Sequence, residues 1–283
     1  MSKIIDGKEL AKKVRLELKD EVEKLKKDEN IHPKLAVIMV GSDPASQIYV
    51  RNKSKACDEI GIEFEEFLLD ENTTQKELLD LIDKLNENEK VNGILLQSPI
   101  PKNLDINEAF RRISPEKDVD GFNPVNVGKL TLGQKGFVSC TPFGVIKMLE
   151  EYNIDIEGKN AVVLGRSNIV GKPMSQCLLN KNATVTICHS KTKNINEITK
   201  NADIIVAAIG KKEFVKGDMV KEGAVVIDVG INRGEDGKLK GDVDFEEVSK
   251  KASYITPVPG GVGPMTIAML MTNVVKAAKD QNK

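Results

Sequence analysis

The chain has 283 residues, more than one domain usually holds, and we therefore expect two domains. Its 42 Lys and Arg residues nearly balance its 43 Asp and Glu residues, so charge gives no reason to expect nucleic acid or a membrane as a partner. No apolar run is long enough to span a bilayer, and the start lacks a signal-peptide core. The four cysteines are scattered and there are only two histidines, so neither disulfides nor a metal site are predicted. These features fit a cytoplasmic protein.

The first half of the chain alternates helical and extended patterns. One face of the first predicted helix carries regularly spaced apolar residues: Leu10, Val14, Leu18, Val22 and Leu25. Strands are predicted over 35–40, 64–69 and 91–97, the first and the last of them buried. A helix begins after Ser42-Asp43-Pro44 and ends at Gly61, and another covers 73–85. Strands that alternate with helices indicate parallel pairing with crossover helices.

Between Pro115 and Pro142 the sequence is rich in Gly, Pro and Asn and has little periodicity, so we place the domain boundary there. A predicted helix over 142–152 follows. Further strands are predicted over 161–165, 184–188, 203–209 and 224–229. The last predicted element is an amphipathic helix over 265–278, which spacing alone assigns to neither domain.

A glycine-bearing turn follows the predicted strand 161–165. Gly165 and Gly171 bracket the turn, and Lys172-Pro173 opens a helix. Such a turn lets backbone N–H groups and a helix N-terminus face a pyrophosphate. The spacing differs from the usual G-x-G-x-x-G, so the pattern alone equally allows a tight turn without a ligand.

The next predicted strand, 184–188, ends in a basic stretch that runs from His189 to Lys193 and contains no acid. Dinucleotide-binding proteins that use NAD place an Asp or Glu there, and a carboxylate would repel the 2′-phosphate of NADP. Arg166, Ser190 and Lys191 can instead bind that phosphate through charge-assisted hydrogen bonds. The alternative is a solvated basic loop that binds no cofactor. Together with the glycine turn, the stretch favours NADP over NAD.

Lys53 is the most informative residue of the first half. A helical projection places it inside one apolar sector, which comprises Ala45, Tyr49, Ala56 and Ile60. Burial lowers the basicity of a lysine and enables it to transfer protons near neutral pH. The alternative is that Lys53 reaches the solvent at the rim. The Tyr-x-x-x-Lys pair of short-chain dehydrogenases is excluded, because Lys53 precedes Gly165 and lies in the other domain.

Two polar residues stand where α/β proteins place ligands. Gln97 closes the strand 91–97 at its carboxyl end, although it equally serves to cap that strand. Asp120 lies in the segment 117–121, where it either forms an Asp-Gly turn or binds the N–H edge of a heterocycle. The sequence leaves both choices open.

Seven motifs are distributed along the whole chain, and their order matters as well as their sequences. They are 41–53, 93–99, 115–121, 140–142, 165–173, 228–232 and 256–266. In this they resemble the bifunctional methylenetetrahydrofolate dehydrogenase/methenyltetrahydrofolate cyclohydrolase family. The last, Thr256-Pro-Val-Pro-Gly-Gly-Val-Gly-Pro-Met-Thr266, is highly specific. Ser98 departs from the pattern, where leucine is more frequent, and bears on substrate affinity rather than on membership.

The resemblance implies an α/β fold of two domains with a cleft between them. An N-terminal α/β catalytic domain comprises 1–140 plus 265–283, since the family's last helix returns to the first domain. A Rossmann-like, doubly wound NADP-binding domain comprises 141–264. The implied reactions are oxidation of 5,10-methylenetetrahydrofolate by NADP and hydrolysis of the 5,10-methenyl product to 10-formyltetrahydrofolate. The folate carries a polyglutamate tail or none, and a homodimer through the cofactor domain is expected.

The resemblance also implies roles for individual residues. Lys53 is the catalytic lysine, Gln97 tunes it, Tyr49 shapes the site and stacks near the folate ring, and Asp120 holds the pterin-like head. The implied folate-side loop is Pro259, Gly260 and Gly261. The implied cofactor-contacting positions are Gly165, Arg166, Ser167, Ile169, His189, Ser190, Lys191, Gly210, Ile231 and Thr266.

Two other functions stay open. One is a dehydrogenase of the same family without hydrolysis, against which the pairing of Lys53 with Gln97 argues. The other is a non-catalytic nucleotide sensor, which has no use for a lysine on a buried helix face. Reduction of NADP on addition of methylenetetrahydrofolate distinguishes an enzyme from a sensor.

Overall fold

The structure is a computed structural model and describes residues 2–234 and 237–283. The chain forms two compact units. We call Met1–Ala11 with Thr141–Thr266 the six-stranded unit, and Lys12–Cys140 with Ile267–Lys283 the three-stranded unit, after their sheets. Among the described residues, no helix is both long and apolar enough to cross a membrane.

The elements that begin before residue 140 are, in chain order, β1 (Lys3–Ile4), α1 (Gly7–Asp28), β2 (Lys34–Val40), α2 (Pro44–Ile60), β3 (Glu63–Leu69), α3 (Gln75–Glu87), β4 (Gly93–Leu96), α4 (Ile106–Arg112) and α5 (Pro124–Thr131). The later elements are α6 (Cys140–Glu151), β5 (Asn160–Leu164), α7 (Gly171–Leu179), β6 (Thr184–Cys188), α8 (Ile195–Thr199), β7 (Ile204–Ala207), a 3-10 turn (Gly217–Met219), β8 (Val225–Asp228), β9 (Asn232–Arg233), β10 (Leu239–Lys240), α9 (Phe245–Val248), β11 (Tyr254–Ile255) and α10 (Val262–Gln281).

The three-stranded unit is built on a parallel sheet with the order β3-β2-β4. The central strand β2 is buried from Leu35 to Val40, which explains its uninterrupted apolar sequence. One face of the sheet packs against α3 through a cluster of buried side chains: Ala36, Ile38, Val40, Leu78, Ile82, Leu85, Ile94 and Leu96. This packing fixes β4, which leads directly into the predicted site residue Gln97.

Helix α2 begins and ends where the sequence predicts. The Asp43 carboxylate accepts a hydrogen bond from Ser46 N at 2.7 Å and so caps the first turn, while Pro44 occupies the first helical position. Gly61 ends the helix with a φ of 84°, in the left-handed region that favours glycine. These local signals are confirmed and place Lys53 in the middle of a well-defined helix.

The six-stranded unit contains a parallel sheet with the order β1-β11-β8-β7-β5-β6. After β5 the chain adds β6 on one side and β7 on the other. This reversal is the topological switch point at which doubly wound sheets bind ligands, beyond the carboxyl ends of their strands. The predicted α/β architecture with a Rossmann-like second unit is confirmed.

The amino terminus differs from the expected division of the chain. Residues 1–11 were expected in the first domain with the rest of 1–140, but β1 pairs with β11 through Lys3↔Tyr254 and Ile4↔Ile255. A strand of two residues is too short to show a period, and its partner is distant in sequence. At the other end, the six-stranded unit extends through Thr266, not 264.

Candidate active site

The side chains of Lys53 and Gln97 meet next to the end of β4. The Gln97 backbone N–H donates to Ile38 O at 2.8 Å and so continues the pairing with β2. Its side-chain Nε2 donates to Ser98 O at 2.6 Å, which leaves Oε1 as the free acceptor. Lys53 Nζ donates to this Oε1 at 2.7 Å. The lysine amine is therefore anchored by a neutral acceptor on a buried strand end.

Burial and charge act in opposite directions on the ionisable groups of this site. Burial lowers the pKa of Lys53, whereas the negative charge of Asp120 raises it. Burial raises the pKa of Asp120, whereas the charge of Lys53 and a hydrogen bond with Cys140 lower it. Burial is the larger cause in both cases. The site thus pairs a lysine of reduced basicity with a carboxyl group of reduced acidity, which suits proton transfer near neutral pH.

The predicted apolar sector of α2 is partly wrong. Ala45 and Tyr49 are exposed, Tyr49 at 41%. The buried face comprises Ser46, Val50, Ala56, Cys57 and Ile60. Lys53 is partly buried and lies along this face, between Val50 and Cys57. The position of Lys53 on the inner side is therefore as predicted, although the sector around it is not.

The segment that carries Asp120 is held against β4. Ile94 N donates to Lys117 O at 2.8 Å, and Gly93 leaves room for the Val119 side chain, which a Cβ at position 93 would overlap. A turn closes through Gly121 N, which donates to Asp118 O at 3.1 Å. The Asp-Gly pair therefore forms the turn that the sequence allows, and the charge of Asp120 also raises the pKa of Lys53. Binding of a heterocycle by Asp120 stays a prediction.

Asp118 supports this turn and was not predicted. It is 2% exposed, and its carboxylate accepts from Asn123 N at 2.8 Å, Phe122 N at 3.1 Å and Asn126 Nδ2 at 2.9 Å. Burial raises the pKa of Asp118 to about 7, although these hydrogen bonds favour the ionised form. The only sequence signal is its place two residues before Asp120 in the motif 115–121.

Asn273 on α10 is a second residue that the sequence did not reveal. Its Nδ2 donates to Val119 O at 2.8 Å and to Val138 O at 3.1 Å, and it is 2% exposed. These acceptors are 154 and 135 residues away along the chain, so no local pattern points to the contact. Asn273 fixes the backbone immediately before Asp120.

In the six-stranded unit, β5 leads into a turn that has no room for Cβ atoms at its two glycines. Gly165 has a φ of 123°, and a Cβ there would overlap Ala208 O. A Cβ on Gly171, the first residue of α7, would overlap Gly165 O. The turn therefore presents backbone at the start of α7, the arrangement that binds phosphates in dinucleotide-binding proteins.

Most other residues predicted to contact the cofactor follow strands of this sheet. They are Arg166, Ser167 and Ile169 after β5, His189, Ser190 and Lys191 after β6, Gly210 after β7, and Ile231 after β8. Because the strands are parallel, their carboxyl ends share one edge, and the sheet collects these segments along it. Thr266 lies instead in α10, with its hydroxyl 3.0 Å from that of Thr141.

The basic segment after β6 has a defined backbone. His189 N donates to Thr192 Oγ1 at 2.9 Å, and Lys191 N donates to His189 Nδ1 at 3.1 Å. Ser190 and Lys191 are exposed, as is Arg166 after β5. The segment therefore offers exposed donors and positive charge.

The structure divides the predicted folate contacts between the two units. Lys53, Gln97 and Asp120 come together in the three-stranded unit, and Tyr49 lies one turn before Lys53 on α2. The predicted loop 259–261 belongs to the six-stranded unit, where Gly260 O accepts from Lys8 N at 2.9 Å. Within residues 2–234 and 237–283, no group of three or more His, Cys, Asp or Glu side chains is placed to hold a metal ion.

Comparison with known proteins gives a consistent result over the whole chain. The family model for the catalytic domain of tetrahydrofolate dehydrogenase/cyclohydrolase matches residues 5–120, and that for its NAD(P)-binding domain matches 139–282. The bifunctional protein FolD of Acetivibrio thermocellus is 62% identical over 282 residues, 100% of this chain and 99% of that protein.

Solved structures give the same picture. The bifunctional enzyme FolD, methylenetetrahydrofolate dehydrogenase/cyclohydrolase, from Campylobacter jejuni is 55% identical, with a TM-score of 0.98 and 99% of each chain covered. The N5,N10-methylenetetrahydrofolate dehydrogenase-cyclohydrolase from Trypanosoma brucei, in complex with NADP cofactor and an inhibitor, is 40% identical. Its TM-score is 0.94, with 99% of this chain and 98% of that chain covered.

Proposed function

Since the chain belongs to the tetrahydrofolate dehydrogenase/cyclohydrolase family, we propose that it catalyses two successive reactions on a folate-bound one-carbon unit. It oxidises 5,10-methylenetetrahydrofolate with NADP and hydrolyses the 5,10-methenyl product to 10-formyltetrahydrofolate. The hydrogen bond between Lys53 and Gln97, beside Asp120, carries the proposal for hydrolysis, because it argues against a dehydrogenase without hydrolysis as well as against a nucleotide sensor.

The residues of the six-stranded unit fit NADP. Gly165 and Gly171 carry no Cβ at the two ends of the turn before α7, where the backbone packs tightly, and a pyrophosphate is expected to bind the backbone of this turn. Arg166, Ser190 and Lys191 offer positive charge and donors to a 2′-phosphate, and no acid stands in 189–193 to repel it. The same charges favour NADP over NAD.

In the first reaction the bound cofactor supplies the redox chemistry by accepting a hydride from the methylene carbon. The part of the protein is binding and orientation. The cofactor contacts assigned to this role are Gly165, Arg166, Ser167, Ile169, His189, Ser190, Lys191, Gly210, Ile231 and Thr266.

In the second reaction water adds to the electrophilic methenyl carbon. A carbon–oxygen bond forms and becomes the formyl carbonyl as the bond from that carbon to N5 breaks. Of the two protons of the water, N5 takes up one and the other is released. Lys53 in its neutral form accepts a proton from the attacking water and returns it during ring opening. Gln97 Oε1 holds the amine of Lys53 in place at 2.7 Å, and the lowered pKa of Lys53 makes the neutral form accessible.

The remaining folate contacts are assigned as follows. The exposed ring of Tyr49 lies one helical turn before Lys53 and offers a stacking surface for the folate ring. The carboxyl group of Asp120 binds the N–H edge of the pterin-like head. The loop Pro259-Gly260-Gly261 contacts the folate as well, whether or not the substrate carries a polyglutamate tail.

A homodimer through the six-stranded unit is part of the proposal. Strand β6 lies at the edge of the sheet and exposes Ile187 to 40%, and Leu179 at the end of α7 is 53% exposed. A second copy that pairs along β6 would cover both side chains and the free strand edge. Light scattering is expected to give twice the mass of the chain, and Ile187→Lys is expected to reduce it to that of one chain.

A cytoplasmic location is also proposed. Its support is the set of free, buried cysteines, which a reducing compartment maintains: Cys57, Cys140, Cys177 and Cys188. Cell fractionation tests it, and recovery of the protein from a membrane or secreted fraction would contradict it.

A paired absorbance assay tests the two activities together. Methylenetetrahydrofolate is supplied with NADP or with NAD, and reduced nicotinamide and the methenyl intermediate are followed at the same time. We expect reduction of NADP in preference to NAD, with little accumulation of methenyltetrahydrofolate. Persistent methenyltetrahydrofolate would leave a dehydrogenase alone, and no reduction with either nucleotide would reject the enzyme.

A further inference from the structure

Two aspartates lie in the interior of the six-stranded unit, outside the sites described above. Asp228 ends β8 and is 4% exposed, and Asp242 follows β10 and is 0% exposed. Placing two carboxyl groups in a protein interior is costly unless their oxygens are hydrogen-bonded. Their partners therefore indicate what the two groups stabilise.

The carboxylate of Asp242 gathers three successive backbone N–H groups. Oδ2 accepts from Ile209 N at 2.7 Å and from Gly210 N at 2.9 Å, and Oδ1 accepts from Lys211 N at 2.8 Å. Oδ1 also accepts from the side-chain amide of Asn232 at 2.9 Å. One side chain thus joins the segment after β7 to the segment after β8.

Asp228 holds the backbone of Asp242 in place through hydrogen bonds. Its Oδ1 accepts from Asp242 N and from Gly230 N, both at 2.9 Å, and its Oδ2 accepts from Val243 N at 2.9 Å. The backbone N–H of Asp228 donates to Thr256 Oγ1 at 2.7 Å. The position of Asp242 is therefore fixed through its own backbone as well as through its side chain.

Two glycines make this close packing possible. A Cβ on Gly230 would overlap the carboxyl group of Asp242, and a Cβ on Gly241 would overlap that of Asp228. Neither glycine has a positive φ, so the requirement is space and not backbone conformation. The two carboxyl groups and the two glycines therefore pack closely against one another.

We propose that Asp242 is a positioning residue for the dinucleotide. It fixes the segment 209–211, which contains Gly210, and Asn232, which follows Ile231. Gly210 and Ile231 are assigned to the cofactor at this edge of the sheet. Ile231 itself is 47% exposed, so its placement depends on the backbone that carries it. The inference rests on the proposed binding of NADP at this edge.

A carboxylate is required because it accepts with both oxygens and donates nothing. An asparagine keeps one acceptor oxygen and places an N–H₂ group against at least one backbone N–H. Asp242→Asn therefore keeps the size of the side chain and removes its ability to gather the whole segment 209–211.

The test compares Asp242→Asn with the unchanged chain in four measurements. By calorimetric titration without folate, the dissociation constant for NADP is expected to rise at least about ten-fold, as expected when hydrogen bonds to a charged group are lost. Amide hydrogen exchange at 209–211 is expected to accelerate. The KM for NADP is expected to rise by a factor similar to that of the dissociation constant, and this factor is expected to exceed any fall in kcat. Hydrolysis of methenyltetrahydrofolate without cofactor is expected to stay within about two-fold, because Lys53 and its partners are unchanged.

Asp244→Asn is the matched control. Asp244 stands two residues further on, where it caps α9 by accepting from Glu247 N at 3.2 Å and pairs with Lys216 at 2.8 Å. It makes the same change of charge in the same segment, and the dissociation constant for NADP is expected to remain that of the unchanged chain.

Three results would overturn the inference: an unchanged dissociation constant in Asp242→Asn, unchanged exchange at 209–211, or loss of cofactor-free hydrolysis together with NADP binding, which would indicate a general structural role. If Asp242→Asn does not fold, Asn232→Ala removes one of the four donors, and about a three-fold weaker binding of NADP is expected. Unchanged binding in that variant would also overturn the inference. An unchanged chain that neither binds nor reduces NADP would reject the proposed function instead.

Discussion

The two units carry their functional groups in different forms. In the three-stranded unit these groups are titratable side chains, Lys53 and Asp120. Burial lowers the pKa of Lys53 and raises that of Asp120, so it favours the neutral form of each. In the six-stranded unit they are backbone segments: the turn between Gly165 and Gly171, which has no room for a Cβ at either glycine, and the segment 209–211, whose N–H groups Asp242 holds. The first arrangement suits proton transfer, and the second suits the binding of a large anion.

This comparison predicts that the two activities can be separated by substitution. Hydrolysis of methenyltetrahydrofolate uses no cofactor, so it reports on the folate site, whose titratable groups Lys53 and Asp120 lie in the three-stranded unit. Titration with NADP in the absence of folate reports on the six-stranded unit alone. Each test variant below is expected to change one measurement and leave the other unchanged, and each control variant is expected to change neither.

The largest effect is expected for Lys53→Met, which keeps an unbranched side chain up to the position of Cε and removes the amine. Hydrolysis is expected to fall by about 10²–10⁴-fold, the usual contribution of a general acid–base group. Methenyltetrahydrofolate is then expected to accumulate during NADP reduction. The dissociation constant for NADP is expected to stay within about two-fold, because distant sites act independently.

Lys55→Met is the control for this variant. Lys55 lies on the same helix and is exposed, so its removal changes the charge of α2 without touching Gln97. It is expected to retain both activities. Hydrolysis at the normal rate in Lys53→Met would show that another group moves the proton, and the difference between the two units would then disappear.

A smaller effect, of the opposite selectivity, is expected for Gly171→Ala. The added Cβ overlaps Gly165 O, so the turn before α7 must shift at a cost of about 1–3 kcal/mol. The dissociation constant for NADP is expected to rise about ten-fold, as measured by titration, and cofactor-free hydrolysis is expected to remain within about two-fold.

Gly128→Ala is the matched control, because a Cβ at this position of α5 meets no atom within 4 Å. It is expected to leave NADP binding unchanged. If Gly171→Ala also bound NADP normally, the turn after β5 would have no role in phosphate binding, and only the basic residues would remain to explain it.

Local signals account for the parts of the fold that the sequence predicted. The start and end of α2 follow from Asp43, Pro44 and Gly61, which act on adjacent backbone, and the buried strands follow from uninterrupted apolar runs. The face of α2 was misjudged at Ala45 and Tyr49. Which side of a helix is buried depends on its partners, here including the contact of Cys57 Sγ with Met271 Sδ at 3.4 Å.

The same distinction explains which site residues were found. The pairing of Lys53 with Gln97 was accessible, because a lysine on an inner helix face and a polar residue at a strand end are each unusual. Asp242 and Asn273 act on backbone groups of segments 31 to 33 and 135 to 154 residues away, respectively. A backbone acceptor or donor leaves no mark in the sequence, so such contacts appear only when the chain is folded.

The smallest effect expected is a shift in the pH dependence of hydrolysis in Asp120→Asn. In the proposed mechanism hydrolysis requires neutral Lys53, so the rate is expected to rise with pH through the pKa of Lys53, which burial holds below its ordinary value. The charge of Asp120 raises that pKa, and its removal should therefore lower it further. The midpoint of the profile is expected to move to lower pH by about one unit or less, even where substrate binding weakens.

The measurement is the cofactor-free rate as a function of pH, with the spontaneous hydrolysis of methenyltetrahydrofolate subtracted at each point. Asp58→Asn serves as control. Asp58 is exposed on α2, the helix that carries Lys53, and is not among the charges that shift the pKa of Lys53. Lys53→Met should remove the titration altogether. A midpoint that moves upward in Asp120→Asn, or does not move, would mean that the titrating group is not Lys53, and the proton-transfer half of the comparison would have to be assigned to another residue.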